Sequence, residues 1–71
     1  MDTAEIKTEV YREYVYPDGA IYHIDNPVQL WWKRDEKGDS HRVLDIAGVT
    51  HYPMRGWLAI RWKAPDEPVS F

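Results

Sequence analysis

Three histidines, His23, His41 and His51, are the side chains of this 71-residue chain best suited to ligate a metal or move a proton near neutral pH. Asp25 or Asp45 could join them around a cation. Their spacing matches no compact zinc pattern, and a chain without cysteine has no thiolate to offer, so neither a metal nor a cofactor is expected. Asp39, Ser40 and His41 are the residue types of a nucleophilic triad, but a triad is assembled in space from separate elements, and adjacent residues do not supply that geometry. They read as loop residues, and no enzymatic activity or small-molecule substrate is expected.

The chemistry that the composition favours is contact. The stretch Asn26 to Arg34, NPVQLWWKR, opens on turn residues and then alternates. Val28, Leu30 and Trp32 point one way, and Gln29, Trp31 and Lys33 the other, as in a half-buried strand. Near the other end, Leu58, Ile60 and Trp62 alternate with Trp57, Ala59, Arg61 and Lys63. Continued alternation turns Trp31, Lys33, Trp57, Arg61 and Lys63 away from the core, with Arg55 in the turn before them. Tryptophan and arginine dominate the energetics of protein interfaces. Basic residues among aromatics also suit single-stranded nucleic acid, whose bases stack on rings while cations follow phosphate. The bland alternative is a curled sheet with both faces covered, the cations lying over the aromatics.

The elements that must position these residues follow from turn signals. Val10–Tyr16 reads as a strand, with Ile6–Glu9 extended or in a short helical turn. Pro17-Asp18-Gly19 closes a hairpin with Ile21–Ile24, and Asp25-Asn26-Pro27 turns into the tryptophan strand. A polar loop, Asp35–Ser40, leads to His41–Ile46; Ala47-Gly48 turns into Val49–Tyr52; and Pro53-Met54-Arg55-Gly56 precedes Trp57–Lys63. Short strands with Gly/Pro turns predict an all-β, single-domain antiparallel sheet of five or six strands, strongly twisted or a half-open barrel. The ordered core is expected over about 10–63, with 1–8 and 64–71 flexible. GAIYHIDNPVQLWWK (19–33) and GVTHYPMRGWLAIRWK (48–63) look faintly alike with one gap, each ending Trp-Lys, which suggests a duplicated hairpin.

Four Trp and five Tyr give a small core its bulk. A chain this short buries only about 60% of its unfolded surface, so its stability margin is thin. The net charge of −3 divides into −3 over residues 1–18, +2 over 19–63 and −2 over the tail. That balance is poor for non-specific duplex binding. The acidic arm (Asp2, Glu5, Glu9, Glu13) has apolar anchors in Ile6, Val10 and Tyr11 and could dock on a basic partner by folding on binding. No signal peptide or apolar span is present, which points to the cytoplasm and away from membranes.

EVYREYVYPDGAIYHIDNPVQLWWK and HRVLDIAGVTHYPMRGWLAIRWK together resemble the small host RNA polymerase regulators of Xanthomonas-infecting phages. The resemblance covers most of the chain in size and character and has no short diagnostic motif. It implies a phage protein in the host cytoplasm that binds the β′ N-terminal region and the β subunit of bacterial RNA polymerase. It further implies inhibition of initiation through loss of σ, and antitermination at the RNA exit channel with NusA and near nascent RNA. Contact residues do not carry over one by one. Val10, Tyr11, Trp31, Lys33, Arg55, Trp57, Arg61 and Lys63 are therefore the expected partner-binding residues on the alternation alone. A single-stranded nucleic-acid-binding barrel and an inhibitor of another host complex, such as a defence system, are the alternatives.

Overall fold

In a computed structural model, which describes residues 2–6 and 9–63, the chain is all-β. Seven strands follow in order: β1 (Asp2–Glu5), β2 (Tyr11–Val15), β3 (Ile21–Asp25), β4 (Pro27–Asp35), β5 (Gly38–Asp45), β6 (Thr50–His51) and β7 (Ala59–Lys63). They form two sheets, ordered β1-β4-β5-β6 and β3-β2-β7, with every pairing antiparallel. Among the described residues, nothing closes them into a barrel. Six strands stand where the turn signals put them. The seventh, β1, does not: residues 1–8 were expected to be flexible, yet Asp2–Glu5 pairs with Gln29–Trp32 of β4. Gly38, Asp39 and Ser40, expected in the polar loop before His41–Ile46, belong to β5. Residues 64–71, expected to be flexible, lie outside the described residues, as do Lys7 and Thr8.

The corner between β3 and β4 moves the chain from one sheet to the other. Asn26 takes it in a left-handed conformation (φ 47°), which a short polar side chain tolerates. Pro27 then starts β4, where a missing N–H costs least. A register irregularity between Pro27 and Gln29 completes the bend.

The expected likeness between the two halves reappears in the pairing. β2 and β3 form a hairpin, and β4 crosses to the other sheet to pair with β5. β5 and β6 form a hairpin, and β7 crosses back to pair with β2. Tyr14 stands between Tyr22 and Ile60; Val43 stands between His51 and Leu30. Equivalent residues in the two hairpins keep the separation of Gly19 from Gly48, and the third strands gain the one residue that the alignment needed. Both hairpin turns make the same bonds. Tyr16 N–H donates to Ala20 O at 2.9 Å and Gly19 N–H to Tyr16 O at 2.9 Å; Asp45 N–H donates to Val49 O at 2.9 Å and Gly48 N–H to Asp45 O at 3.0 Å. Gly19 and Gly48 have φ of 88° and 87°.

Tyr14 and Ile24 from one sheet and Val43 from the other are fully buried between them, with Tyr16, Leu30, Trp57 and Ile60 packed around. Trp57 corrects the outward placement. Its ring meets Tyr14 edge-on at 4.9 Å and lies 4.7 Å from His41. Because β7 begins only at Ala59, Trp57 and Leu58 precede the pleat, and alternation cannot be run back through them. Leu58, which alternation placed inside, is 71% exposed.

Candidate functional site

A groove of about 610 Å³ lies between the β2–β3 hairpin and the segment that leads from β6 toward β7. Tyr16, Pro17, Ile21 and Tyr22 form one wall; Tyr52, Pro53, Met54 and Arg55 form the other. Tyr52 and Met54 are 69% and 76% exposed, and Ile21 is half exposed. The walls are tied together. Tyr16 Oη donates to Met54 O at 2.7 Å. Arg55 makes a two-pronged contact with Asp35 (2.8 and 3.1 Å), which, with the Lys37 N–H, holds that carboxyl down to about 2. The ring of Tyr22 is fixed by a relay: its hydroxyl lies 2.7 Å from His51 Nδ1, and His51 Nε2 lies 2.8 Å from Asp45. The His51 contact is the first cause holding Asp45 below the usual carboxylate range, so the acid is ionised and Nε2 carries the proton. Nδ1 then accepts from Tyr22. The relay orients a groove wall; the phenol is already committed to a hydrogen bond.

A second cluster lies on the outer face of the sheet containing β2. Glu13 accepts from Arg61 Nη2 at 2.7 Å and lies 2.8 Å from His23 Nδ1, while His23 Nε2 lies 2.7 Å from Asp25. Hydrogen bonding by Glu13, then by Asp25, raises the His23 pKa; His23, then Arg61, lowers that of Glu13. Tyr11 packs 5.0 Å from the His23 ring and stands opposite Lys63. Val10 adjoins, its N–H donating to Lys63 O at 2.6 Å.

Trp31 and Lys33 lie on the outer face of the other sheet. There Arg42, the cross-strand partner of Trp31, stacks over its indole at 4.4 Å. The expected binding residues are thus divided among four places. Tyr11, Arg61 and Lys63 share one face, with Val10 bonded to Lys63 through its backbone; Trp31 and Lys33 share another; Arg55 rims the groove; Trp57 is partly buried against the core. The groove residues Tyr16, Ile21, Tyr22, Tyr52 and Met54 were missed. Their signal was a concentration of tyrosine beside two proline turns, which strand alternation alone does not weigh.

The three histidines are kept apart. His41 is against the core, where Arg12 Nη1 donates to the Tyr14 hydroxyl (3.2 Å) and that hydroxyl lies 2.8 Å from His41 Nδ1. Burial, then the charge of Arg12, lowers the His41 pKa, so the imidazole is neutral and accepts the phenol proton. Asp39 is held by Arg34 (2.7 Å), and its neighbour Ser40 faces the opposite side of β5, so the three do not converge. Among the described residues, no three His, Asp or Glu side chains gather as metal ligands, and no helix is long and apolar enough to cross a membrane. Compared with protein families, curated proteins and solved structures, the chain matches none.

Proposed function

We propose that this chain acts by binding another protein, and that the partner is the host bacterial RNA polymerase, through the β′ N-terminal region and the β subunit. The observation that supports binding is the open groove, where Ile21, Tyr22, Tyr52 and Met54 keep 40–76% of their surface exposed, while few side chains are buried among the described residues. Groups of exposed aromatics with an arginine at the rim suit a protein interface. The polymerase is the partner implied by the sequence resemblance. Inhibition of initiation requires tighter binding to the σ-free enzyme than to the holoenzyme, since a ligand shifts an equilibrium only by its difference in affinity. Antitermination, with NusA, then follows from remaining bound during elongation near the RNA exit channel.

Capture from a bacterial lysate with the full chain as bait tests this. Retention of β and β′ without σ is expected, and Met54→Ala with Tyr52→Ala should weaken it by roughly tenfold or more. Retention of a defence complex in their place would overturn the polymerase assignment. The nucleic-acid reading has less support, because Arg12, Arg34 and Arg55 are each engaged by an acid. Binding to RNA that falls steeply with added salt would reverse that preference.

A further inference from the structure

The two halves of the fold are equivalent in every strand but one. β4 has β5 on one side and β1 on the other. Its counterpart β7 has β2 on one side and, among the described residues, no strand on the other. The place beside β7 is the place that β1 fills beside β4. In β1 the order is acid, Thr, Ala, acid, then Ile6, whose N–H donates to Val28 O at 2.9 Å. β1 sets Ala4 opposite Leu30 and Thr3 opposite Trp31. The corresponding positions of β7 are Ile60 and Arg61, followed by Trp62 and Lys63.

We propose that the free edge of β7 accepts an extended acidic segment of a partner protein as an added antiparallel strand, in the register that β1 takes on β4. This deepens the protein-binding reading and rests on it. The edge chemistry selects the occupant. Ile60 and Trp62 face the side of the sheet on which Tyr14 is buried, and Trp62 is 59% exposed, so an apolar side chain set opposite them covers an open indole. Arg61 and Lys63 face the other side. Arg61 uses only Nη2 toward Glu13, which leaves guanidinium donors for a second carboxylate, and Lys63 has no ion pair among the described residues. Acids in the incoming strand opposite these two cations meet opposite charge. A second copy of this chain does not fit, because β7 paired with β7 brings arginine and lysine against their own kind, which is destabilising across a ladder. Main-chain bonds supply affinity in such an addition, and the alternating side chains supply selectivity.

The test uses the isotope-labelled full chain and a capped peptide, Glu-Val-Glu-Ala-Glu-Ile, as probe. Peptide binding should shift the amide resonances of Ala59–Lys63 and slow their hydrogen exchange. A peptide with lysine for each glutamate, or one N-methylated at alternate residues, should not bind. Lys63→Glu should weaken the glutamate peptide by roughly tenfold while leaving the spectrum folded. Three results would overturn the proposal: shifts confined to the Tyr52–Met54 groove, equal binding of the lysine peptide, or alternate β7 amides already protected in the free chain because residues 64–71 cover the edge. Polymerase capture separates the two ideas. Equal retention of polymerase by wild type and Lys63→Glu overturns this edge as its contact and leaves the protein-binding reading standing. Peptide addition at β7 without polymerase retention supports the edge and removes the polymerase.

Discussion

Trp57 and Trp31 have the same side chain in two different physical situations. Trp57 packs edge-on against the fully buried Tyr14 and beside His41, so removing it opens a void beside a core of very few residues. Trp57→Ala should cost about 3 kcal/mol, enough to unfold much of a chain this small. Trp31 lies on an outer face beneath Arg42, and Trp31→Ala should cost about 1 kcal/mol. Urea denaturation of the two variants checks the ranking, and equal losses would mean that Trp57 is not a core residue. The histidines make a second pair of opposites. His41 has a lowered pKa, so its contribution is complete above the unfolded value of 6.5 and is lost as pH falls. His23 has a raised pKa, so its contribution is complete below 6.5 and is lost as pH rises through the folded value. His41→Gln should therefore flatten the loss of stability between about pH 7 and 5, and His23→Gln should steepen it. Melting temperatures across that range read both slopes, and matching slopes would contradict the assignment of His41 to the buried side.

At the scale of elements, the two hairpin turns share a backbone plan but not a workload. Asp18 accepts only the Ala20 N–H (3.0 Å), whereas Asp45 accepts from Ala47 and Val49 and also holds His51, and through it Tyr22. Asp18→Ala should cost well under about 1 kcal/mol and Asp45→Ala about 2 kcal/mol, since only the second leaves a ring nitrogen in the groove wall without its partner. A ranking reversed in thermal melts would show that the relay does not support that wall. The turns were legible because Pro, Asp, Asn and Gly report backbone conformation directly: Gly19 and Gly48 mark the hairpins, and Asn26-Pro27 marks the corner. Strand faces were legible only within a strand. Alternation set Trp31 and Lys33 correctly on an outer face, but it failed at Trp57 because parity holds only from the residue where pairing begins. β1 was hidden for a related reason. Asp2 to Glu5 has almost no apolar content, so what makes it a strand is the β4 edge it joins and not its own residues. The groove shares that character, being built from two turns distant in sequence.

For the whole molecule, the crossing of β4 and β7 means that neither half completes its own sheet. Each central strand, β2 or β5, has one neighbour from its own half and one from the other. A three-stranded half would leave an open edge and half a core, below what stabilises a sheet alone. Unfolding should therefore be a single transition, with tryptophan fluorescence and far-UV circular dichroism changing together. A cut tests the interlock more sharply. Glu36 and Lys37 form an exposed turn between β4 and β5, where cleavage removes no strand pairing. Chain cleaved after Lys37 should keep its folded spectrum, because the fragments 1–37 and 38–71 still exchange β4 and β7. Separated in denaturant, each fragment should be unstructured, and mixing them should restore the spectrum. A fragment that folded by itself would mean that the halves are independent units joined by a linker, and the equivalence between the β1 place on β4 and the open edge of β7 would then lose its physical basis.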